Sequence, residues 1–564
     1  MKKKYLAASF IASVMVLVLY QTVPVRTLEA ADTSGTTQSA SSETAKGTQQ
    51  PLESTAKGDK ANIAAEELSV THHSITINGQ TLEYTATAGY LRINEKSGKP
   101  KADLFFVAYE KSDKSKKSEK SDKSDKSDKS DKSDKNDKSD KKAKARRPVT
   151  FAFNGGPGAS SVFLHLGALG PKRILLKDEG KNASPPYQLV DNEYTWLNFT
   201  DLVFIDPMGT GYSRPAPEVD AKQFYSLKED VQLAGDFIRL YITQYKRWTS
   251  PKFIAGESYG ATRAAGLAGY LQDDLNMDLN GLVLISPALD FQTIMFEPGN
   301  DLPYPLFLPS YTAAAWYHKK LPSALQSSDL PKVLKEAEKW AIQEYSLALM
   351  KGAALPDTER DQVIEKLAYY TALPPDYINK HDLRLSHMDF IRELLRKEHQ
   401  VIGLLDGRFE GVDPDPDRDY GEYDPSLFLV SGPFGALMND YARDELKYVN
   451  DLPYEVLNEE VNRSWDWGSD HHEGQGFTNV TGTLRRSISK NKYLKVMIAS
   501  GYYDLTTPYF VIDYTVNHLG LDPSLQANIT TSYYDVGHQI YVHMPSLKKL
   551  TVDVTAFMNK TLAE

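Results

Sequence analysis

The sequence predicts a mixed, mostly parallel α/β sheet flanked by helices and interrupted by a long, mainly helical insertion. Three observations carry that reading. From Phe151 onward, short apolar runs alternate with helical stretches, the pattern of a sheet covered on both faces. Between about 290 and 487 the alternation stops, and it returns at Leu494. Within the first stretch, a strand-like run ends in Gly256-Glu257-Ser258-Tyr259-Gly260 and passes directly into a helix of small residues.

The start of the chain follows a different logic. Met1-Lys2-Lys3-Lys4 precedes an apolar run from Tyr5 to Tyr20, then Pro24 and the small residues Ala30 and Ala31, so 1–31 reads as a secretory signal peptide. The alternative is an uncleaved anchor, since the run Leu6 to Leu19 falls short of the roughly 20 apolar residues of a spanning helix but can extend past Tyr20. Either way the expected location is secreted or cell-surface. Residues 32–66 are rich in Ser, Thr, Gln, Ala and Gly, with too little apolar surface to offset ordering entropy, and read as a flexible stalk.

The sheet domain is expected at 67–289 and 488–564, around an insertion at 290–487. It opens with a hairpin, Ser74–Gly79 against Leu82–Thr87, turned at Asn78-Gly79. Leu104–Tyr109 and Pro148–Phe153 read as strands on either side of a Lys-Ser-Asp repeat, a low-complexity loop at 111–147 whose alternating charges screen one another in water. Strands at 202–205, 253–255 and 282–285 follow, with a helix over 226–245 that opens on a capping-box pattern, Ser226 to Glu229. Its stripe of Val231, Ala234, Phe237, Ile238, Tyr241 and Tyr245 is core. The insertion carries helical segments at 330–347 and 389–398. Strands at 494–499 and 529–534 and a helix at 546–559 close the domain.

Composition narrows the chemistry. Of 564 residues none is cysteine, which excludes disulfides, thiolate metal sites and a thiol nucleophile, so the core alone must hold the fold. A net charge of -10, with both signs mixed along the chain, argues against nucleic acid as a partner.

The Gly-Glu-Ser-Tyr-Gly turn has the form of the nucleophile elbow of the α/β-hydrolase fold, where flanking glycines let strand and helix close on a serine whose hydroxyl stands at the top of the sheet. Ser258 then needs a base and an orienting acid, in the chain order serine, acid, histidine. Asp504 follows the strand at 494–499 and His538 follows the next one. Asp535 competes as acid and His543 as base. Asp535 is too close in sequence to His538 to point back at it easily, and His543, beside Pro545, suits a capping or packing role. The glycine-rich turn Asn154-Gly155-Gly156-Pro157-Gly158, after another strand, can aim a backbone N–H at the serine and, with the N–H of Tyr259, form an oxyanion hole.

Asn154–Ser161, Phe204–Ser213 and Gly256–Gly260 together resemble the serine carboxypeptidase family, well over Phe151–Pro287 and moderately over Leu494–Pro545. The insertion is similar to a bacterial branch only at Leu302-Pro303-Tyr304 and Trp316-Tyr317-His318. The resemblance implies removal of a C-terminal residue from a peptide substrate through an acyl-enzyme, without cofactor. It implies Ser258, Asp504 and His538 as the triad, Gly156 and Tyr259 as oxyanion donors, and Asn154, Gly155 and Glu257 on the terminal carboxylate. It also implies an acidic optimum, because a glutamate meets a carboxylate only when protonated or sharing a proton.

One position departs from the family pattern. The second glutamate, which pairs with the first, falls on Ala168. Glu257 alone is then expected to ionise more easily and to repel a carboxylate, unless Arg214 or Arg263 supplies a charge. Two other readings follow: an esterase or acyltransferase on the same triad, and a non-catalytic surface binding protein built on this scaffold. No metal is expected. Asp413, Asp415, Asp417 and Asp419 are interrupted by Pro414, Pro416 and Arg418, and Asp470-His471-His472-Glu473 places its histidines side by side. Oligomeric state is not legible in the sequence.

Overall fold

A computed structural model describes residues 68–112, 147–176, 184–416, 423–468 and 476–563. The leader at 1–31, the stalk at 32–66, the Lys-Ser-Asp repeat from 113 to 146, Asp417, Asp419 and Asp470–Glu473 lie outside the described residues.

Among the described residues, nine of the ten strands of the central sheet follow one path: β1 (Ser69–Ile77), β2 (Gln80–Asn94), β3 (Pro100–Lys111), β4 (Val149–Phe153), β5 (Asp201–Ile205), β6 (Lys252–Glu257), β7 (Gly281–Ile285), β8 (Lys495–Gly501) and β9 (Ile529–Tyr534). Their order is β1-β2-β3-β5-β4-β6-β7-β8-β9, with a two-residue strand, Arg214–Pro215, also on β3. The pairs β1/β2, β2/β3 and β3/β5 are antiparallel; from β5 to β9 all are parallel. Asn78 and Gly79 both take positive φ, 49° and 76°, and turn β1 into β2 as the sequence predicts.

Burial follows from layering. Every residue of β4, β5, β6 and β7 is buried, because helices cover both faces, whereas β1 alternates and keeps one face in water. Neighbouring residues on a strand go to opposite cores: Phe106 and Ile254 join one hydrophobic cluster, Phe105 and Phe253 the other.

Among the described residues, the helices of nine residues or more are α1 (Leu227–Gln244), α2 (Tyr259–Asp273), α3 (Pro303–Tyr317), α4 (Leu330–Trp340), α5 (Asp357–Thr371), α6 (Pro425–Asp444), α7 (Thr481–Lys490), α8 (Tyr509–Asn517) and α9 (Met544–Ala563). At the start of α1 only half of the expected capping box forms. Ser226 accepts from Glu229 N at 3.4 Å, while the Glu229 carboxylate lies 3.9 Å from Lys101. The long segment between β7 and β8 holds α3 to α7. Its helix expected over 330–347 is α4 followed by a π-helical turn, Ala341–Tyr345, and a short helix, Ser346–Lys351. That expected over 389–398 is His387–Glu393 and a 3-10 turn, Arg396–Glu398. Although α7 falls largely within 290–487, it packs on α2, where Lys490 reaches Asp273 at 2.7 Å, and so helps cover the sheet.

At the end of the sheet away from the strand C-termini, Asp201 at the head of β5 receives Arg247 at 2.7 Å and Arg147 at 2.6 Å. Arg247 is fully buried, and removing one partner of such a pair costs about 3–5 kcal/mol. The opposite end carries the candidate site residues. In register, Phe153 stands beside Gly256, Glu257 beside Ile285 and Ile285 beside Ala499, so the segments leaving β4, β6, β7 and β8 emerge together. Sites of open α/β sheets form at that edge.

Candidate active site

Ser258 is the single residue between β6 and α2. Its φ of 60° and ψ of -126° are a sharply strained backbone for a residue with a side chain. Packing holds it there. Its N–H donates to Ile285 O at 3.0 Å, and the glycines around it allow backbones to touch. A Cβ on Gly260 would stand 2.5 Å from Phe153 O, and one on Gly155 would stand 2.5 Å from Tyr259 N. The Asn-Gly-Gly-Pro-Gly turn is therefore pressed against the elbow, with Gly156 at φ 99°. Tyr259 opens α2, so its N–H has no helical carbonyl behind it to bond.

His538 Nδ1 lies 2.7 Å from Asp504 Oδ2. Asp504 is fully buried and saturated: Oδ1 accepts from the N–H groups of Thr506 and Thr507 at 2.8 and 2.9 Å, and Oδ2 also accepts from Thr507 Oγ1 at 2.9 Å. Burial opposes a charged imidazole, but the adjacent Asp504 carboxylate outweighs it and raises the His538 pKa above its ordinary 6.5. Neither competitor shares this arrangement. Asp535 is exposed, and His543 Nδ1 is 2.8 Å from Ser546 Oγ at the start of α9.

Glu257 and Asn154 meet beneath the serine. Asn154 Nδ2 donates to Glu257 Oε1 at 3.0 Å and its Oδ1 accepts from Leu164 N at 2.9 Å. The expectation that Glu257 ionises more readily without a paired glutamate is corrected by its burial. Removal from water favours the neutral acid and pushes its pKa up to about 7, against the lowering effects of His538, Tyr541 and Asn154. Ala168 is buried in a π-helical turn, His165–Leu169. Neither arginine supplies the missing charge. Arg263 donates to Asp230 Oδ2 at 2.8 Å and to Asn154 O at 2.9 Å, while Arg214 donates to the carbonyls of Gly211, Ser213 and Pro453. Both stand outside the lining of the cavity.

That cavity, about 140 Å³, brings together Asn154, Gly155, Gly156, Glu257, Ser258 and His538. Its apolar wall is Phe163, Leu405, Leu427 and Leu457. Order along the chain, the 2.7 Å His538–Asp504 contact, a serine on a strained elbow and a cavity lined by both Ser258 and His538 are features that nucleophilic acyl transfer uses.

Several supporting residues escape a reading of the sequence. Thr507 belongs to a local turn, and its position three residues after an aspartate is a weak signal for a side chain that caps its own loop. Asp406 and Arg408 carry no signal. They lie in the insertion, more than a hundred residues from the loop they hold: Asp406 accepts from Gly537 N at 2.9 Å and Arg408 donates to Asp535 O at 3.0 Å. Leu405 O accepts from His538 N at 2.6 Å and Leu404 O accepts from Thr506 Oγ1 at 3.3 Å, so one strap grips both the acid and the histidine loop. In the acidic run, Arg392 stands 3.4 Å from Asp413 Oδ2 and donates to Asp415 O at 2.7 Å. Among the described residues no cluster of His, Asp or Glu is arranged to hold a metal, and no helix is long and apolar enough to cross a membrane.

Residues 137–555 match the sequence profile of the family described as Serine carboxypeptidase. The chain is 25% identical over 288 residues to a carboxypeptidase Y homolog A of Paracoccidioides brasiliensis, covering 48% of this chain and 47% of that protein. It is 27% identical over 161 residues to a carboxypeptidase Y homolog of Arthroderma benhamiae, covering 27% and 29%. To a pheromone-processing carboxypeptidase of Yarrowia lipolytica it is 32% identical over 151 residues, covering 26% and 22%. The chain thus spans less than half the length of each of these relatives. The crystal structure of a prohormone-processing carboxypeptidase from Saccharomyces cerevisiae shares the fold, with a TM-score of 0.51 at 16% identity over 84% of this chain and 91% of that one. Because the profile takes in the glycine-rich turn, the elbow, the insertion and both loops at the C-terminal strand ends, the chain belongs to the serine carboxypeptidase family, on an α/β-hydrolase fold.

Proposed function

We propose that this protein is an exported serine-type carboxypeptidase that removes the C-terminal residue of a peptide through an acyl-enzyme on Ser258. One observation carries the reading: a single cavity holds Ser258 and the Asp504-braced His538 beside a buried glutamate whose carboxyl tends to stay protonated. The matched relatives are named as carboxypeptidases, and the leader-like composition of 1–31 supports export.

In the proposed reaction Ser258 Oγ attacks the last peptide carbonyl while His538 Nε2 takes its proton. The oxyanion is held by the N–H groups of Gly156 and Tyr259, each donor contributing roughly 3 kcal/mol to the transition state. His538 returns the proton to the leaving amine, the C–N bond breaks, and the free amino acid departs. A water, deprotonated by His538, then splits the acyl ester and restores Ser258. Until the amino acid departs, its carboxylate is received by Gly155 N–H, the Asn154 amide and the protonated Glu257. The free volume is close to the ~150 Å³ that admits a benzene-sized group, and the Phe163 and leucine wall suits an apolar side chain.

The pH dependence follows with a definite sign. Turnover needs His538 neutral, and its raised pKa places the acid limb above the ordinary histidine value. Recognition of a free carboxylate needs Glu257 protonated, which is lost as pH rises through about 7. The two groups lie in one cavity and titrate as a coupled pair, so kcat/KM for free-acid peptides is expected to be bell-shaped with its maximum near neutrality rather than in the acid range. Esters with a blocked C-terminus should show the acid limb alone. Measuring both substrate types across pH 4.5 to 9 checks this, and alkaline limbs that coincide for acid and ester would remove Glu257 from carboxylate recognition.

A further inference from the structure

The family pattern calls for a second glutamate where this chain has Ala168, yet Glu257 does not stand alone. Tyr541 donates its hydroxyl to Glu257 Oε1 at 3.2 Å. The ring arrives on a short 3-10 helix, Ile540–Val542, in the same loop as His538, and it packs against Gly167. A Cβ on Gly167 would fall 2.5 Å from Tyr541 Cδ2, and Phe434 of α6 closes the other side at a ring separation of 6.4 Å. The glycine at 167 thus makes room for the tyrosine, one residue before the position where the pattern puts the partner carboxyl.

We propose that Tyr541 replaces the absent glutamate as the positioning residue of the carboxylate site, fixing on which oxygen Glu257 carries its proton. This rests on the carboxypeptidase reading given above. Oε1 receives two donors, Asn154 Nδ2 and Tyr541 Oη, whereas Oε2 is buried without a hydrogen-bond partner. An oxygen that already accepts twice is a poor place for a proton, so the acid hydrogen goes to Oε2, from which it is donated to the incoming carboxylate. A tyrosine does this better than a glutamate would in one respect. Burial and the neighbouring Glu257 hold the Tyr541 hydroxyl well above its ordinary pKa, so it is a donor at every working pH and adds no second negative charge. The chemical consequence is a site for a single free α-carboxylate that persists to neutral pH, where two carboxyls sharing one proton would already repel it.

The test uses Tyr541→Phe, which keeps the ring and removes the donor, in the full chain. Steady-state kinetics are measured on a free-acid peptide and on the matching C-terminal ester. The expected result is a fall of about tenfold in the ratio of kcat/KM for acid over ester, carried by KM for the acid, as for loss of a hydrogen bond to a charged or proton-sharing group. In addition, the alkaline limb for the acid should move to higher pH, because the hydroxyl had favoured the ionised glutamate. A variant that loses acid and ester activity in equal proportion, with the limb unmoved, would make Tyr541 a packing residue only and overturn the proposal while leaving the carboxypeptidase reading in place. A wild type with no preference for the free acid would overturn both.

Discussion

Ser258→Ala is expected to reduce hydrolysis of every substrate by about 10⁶-fold while leaving the folded structure intact, since the nucleophile and its base act as a unit and loss of either removes most of the catalysis. The remainder, about 10³–10⁴ over the reaction in water, would come from the N–H groups of Gly156 and Tyr259 and from binding. Stability should hold because the elbow is fixed through backbone: Ser258 N to Ile285 O at 3.0 Å and the close approach of Gly155 to Tyr259 N are unaffected by the hydroxyl. Thermal unfolding of the variant beside its activity separates the two effects. Retention of more than a hundredth of the wild-type rate would exclude Ser258 as nucleophile.

Asp504→Asn is expected to lower kcat by about 10⁴-fold with little change in KM, through the wrong imidazole tautomer. The surrounding hydrogen bonds determine which way the new amide must lie. Oδ1 is held by the Thr506 and Thr507 N–H groups, donors that require an oxygen, so the introduced NH₂ occupies the place of Oδ2 and faces His538 Nδ1. There it donates to Nδ1, the ring proton moves to Nε2, and the base has no lone pair for the Ser258 hydroxyl. The measurement is kcat for the variant at saturating peptide, with Asp535→Asn as comparison. Asp535 is exposed and is gripped through its carbonyl by Arg408, so its substitution should change kcat less than twofold or so. The reverse ranking would transfer the orienting role to Asp535.

How much of this could be read from the sequence depended on how local its cause was. The strand β9 runs over Ile529–Tyr534 as expected, because its β-branched and aromatic run is bounded on both sides by turns. The Asn78-Gly79 hairpin and the elbow were equally legible, since positive φ and close backbone approach each demand particular residues at particular places. Asp504 and His538 were found from chain order and strand ends, and the structure brings them to 2.7 Å. What depends on packing was hidden. That α7 lies on α2, that Asp406 and Arg408 reach across from the insertion, and that Tyr541 fills the space at Gly167 are contacts between segments far apart in the chain. The ionisation of Glu257 was misjudged for the same reason: the sequence shows a missing partner, whereas desolvation, which dominates, is a property of the folded cavity.

The central claim is that the cavity recognises a free C-terminal carboxylate next to the Ser258 nucleophile. Its most direct test is mass spectrometry of matched peptides with free and amidated C-termini, digested at about pH 4.5 and pH 7.5 with Ser258→Ala as control. Stepwise loss of single residues from the free peptides only, absent in the control, is the expected result. Equal cleavage of amidated peptides, or internal cuts, would contradict it.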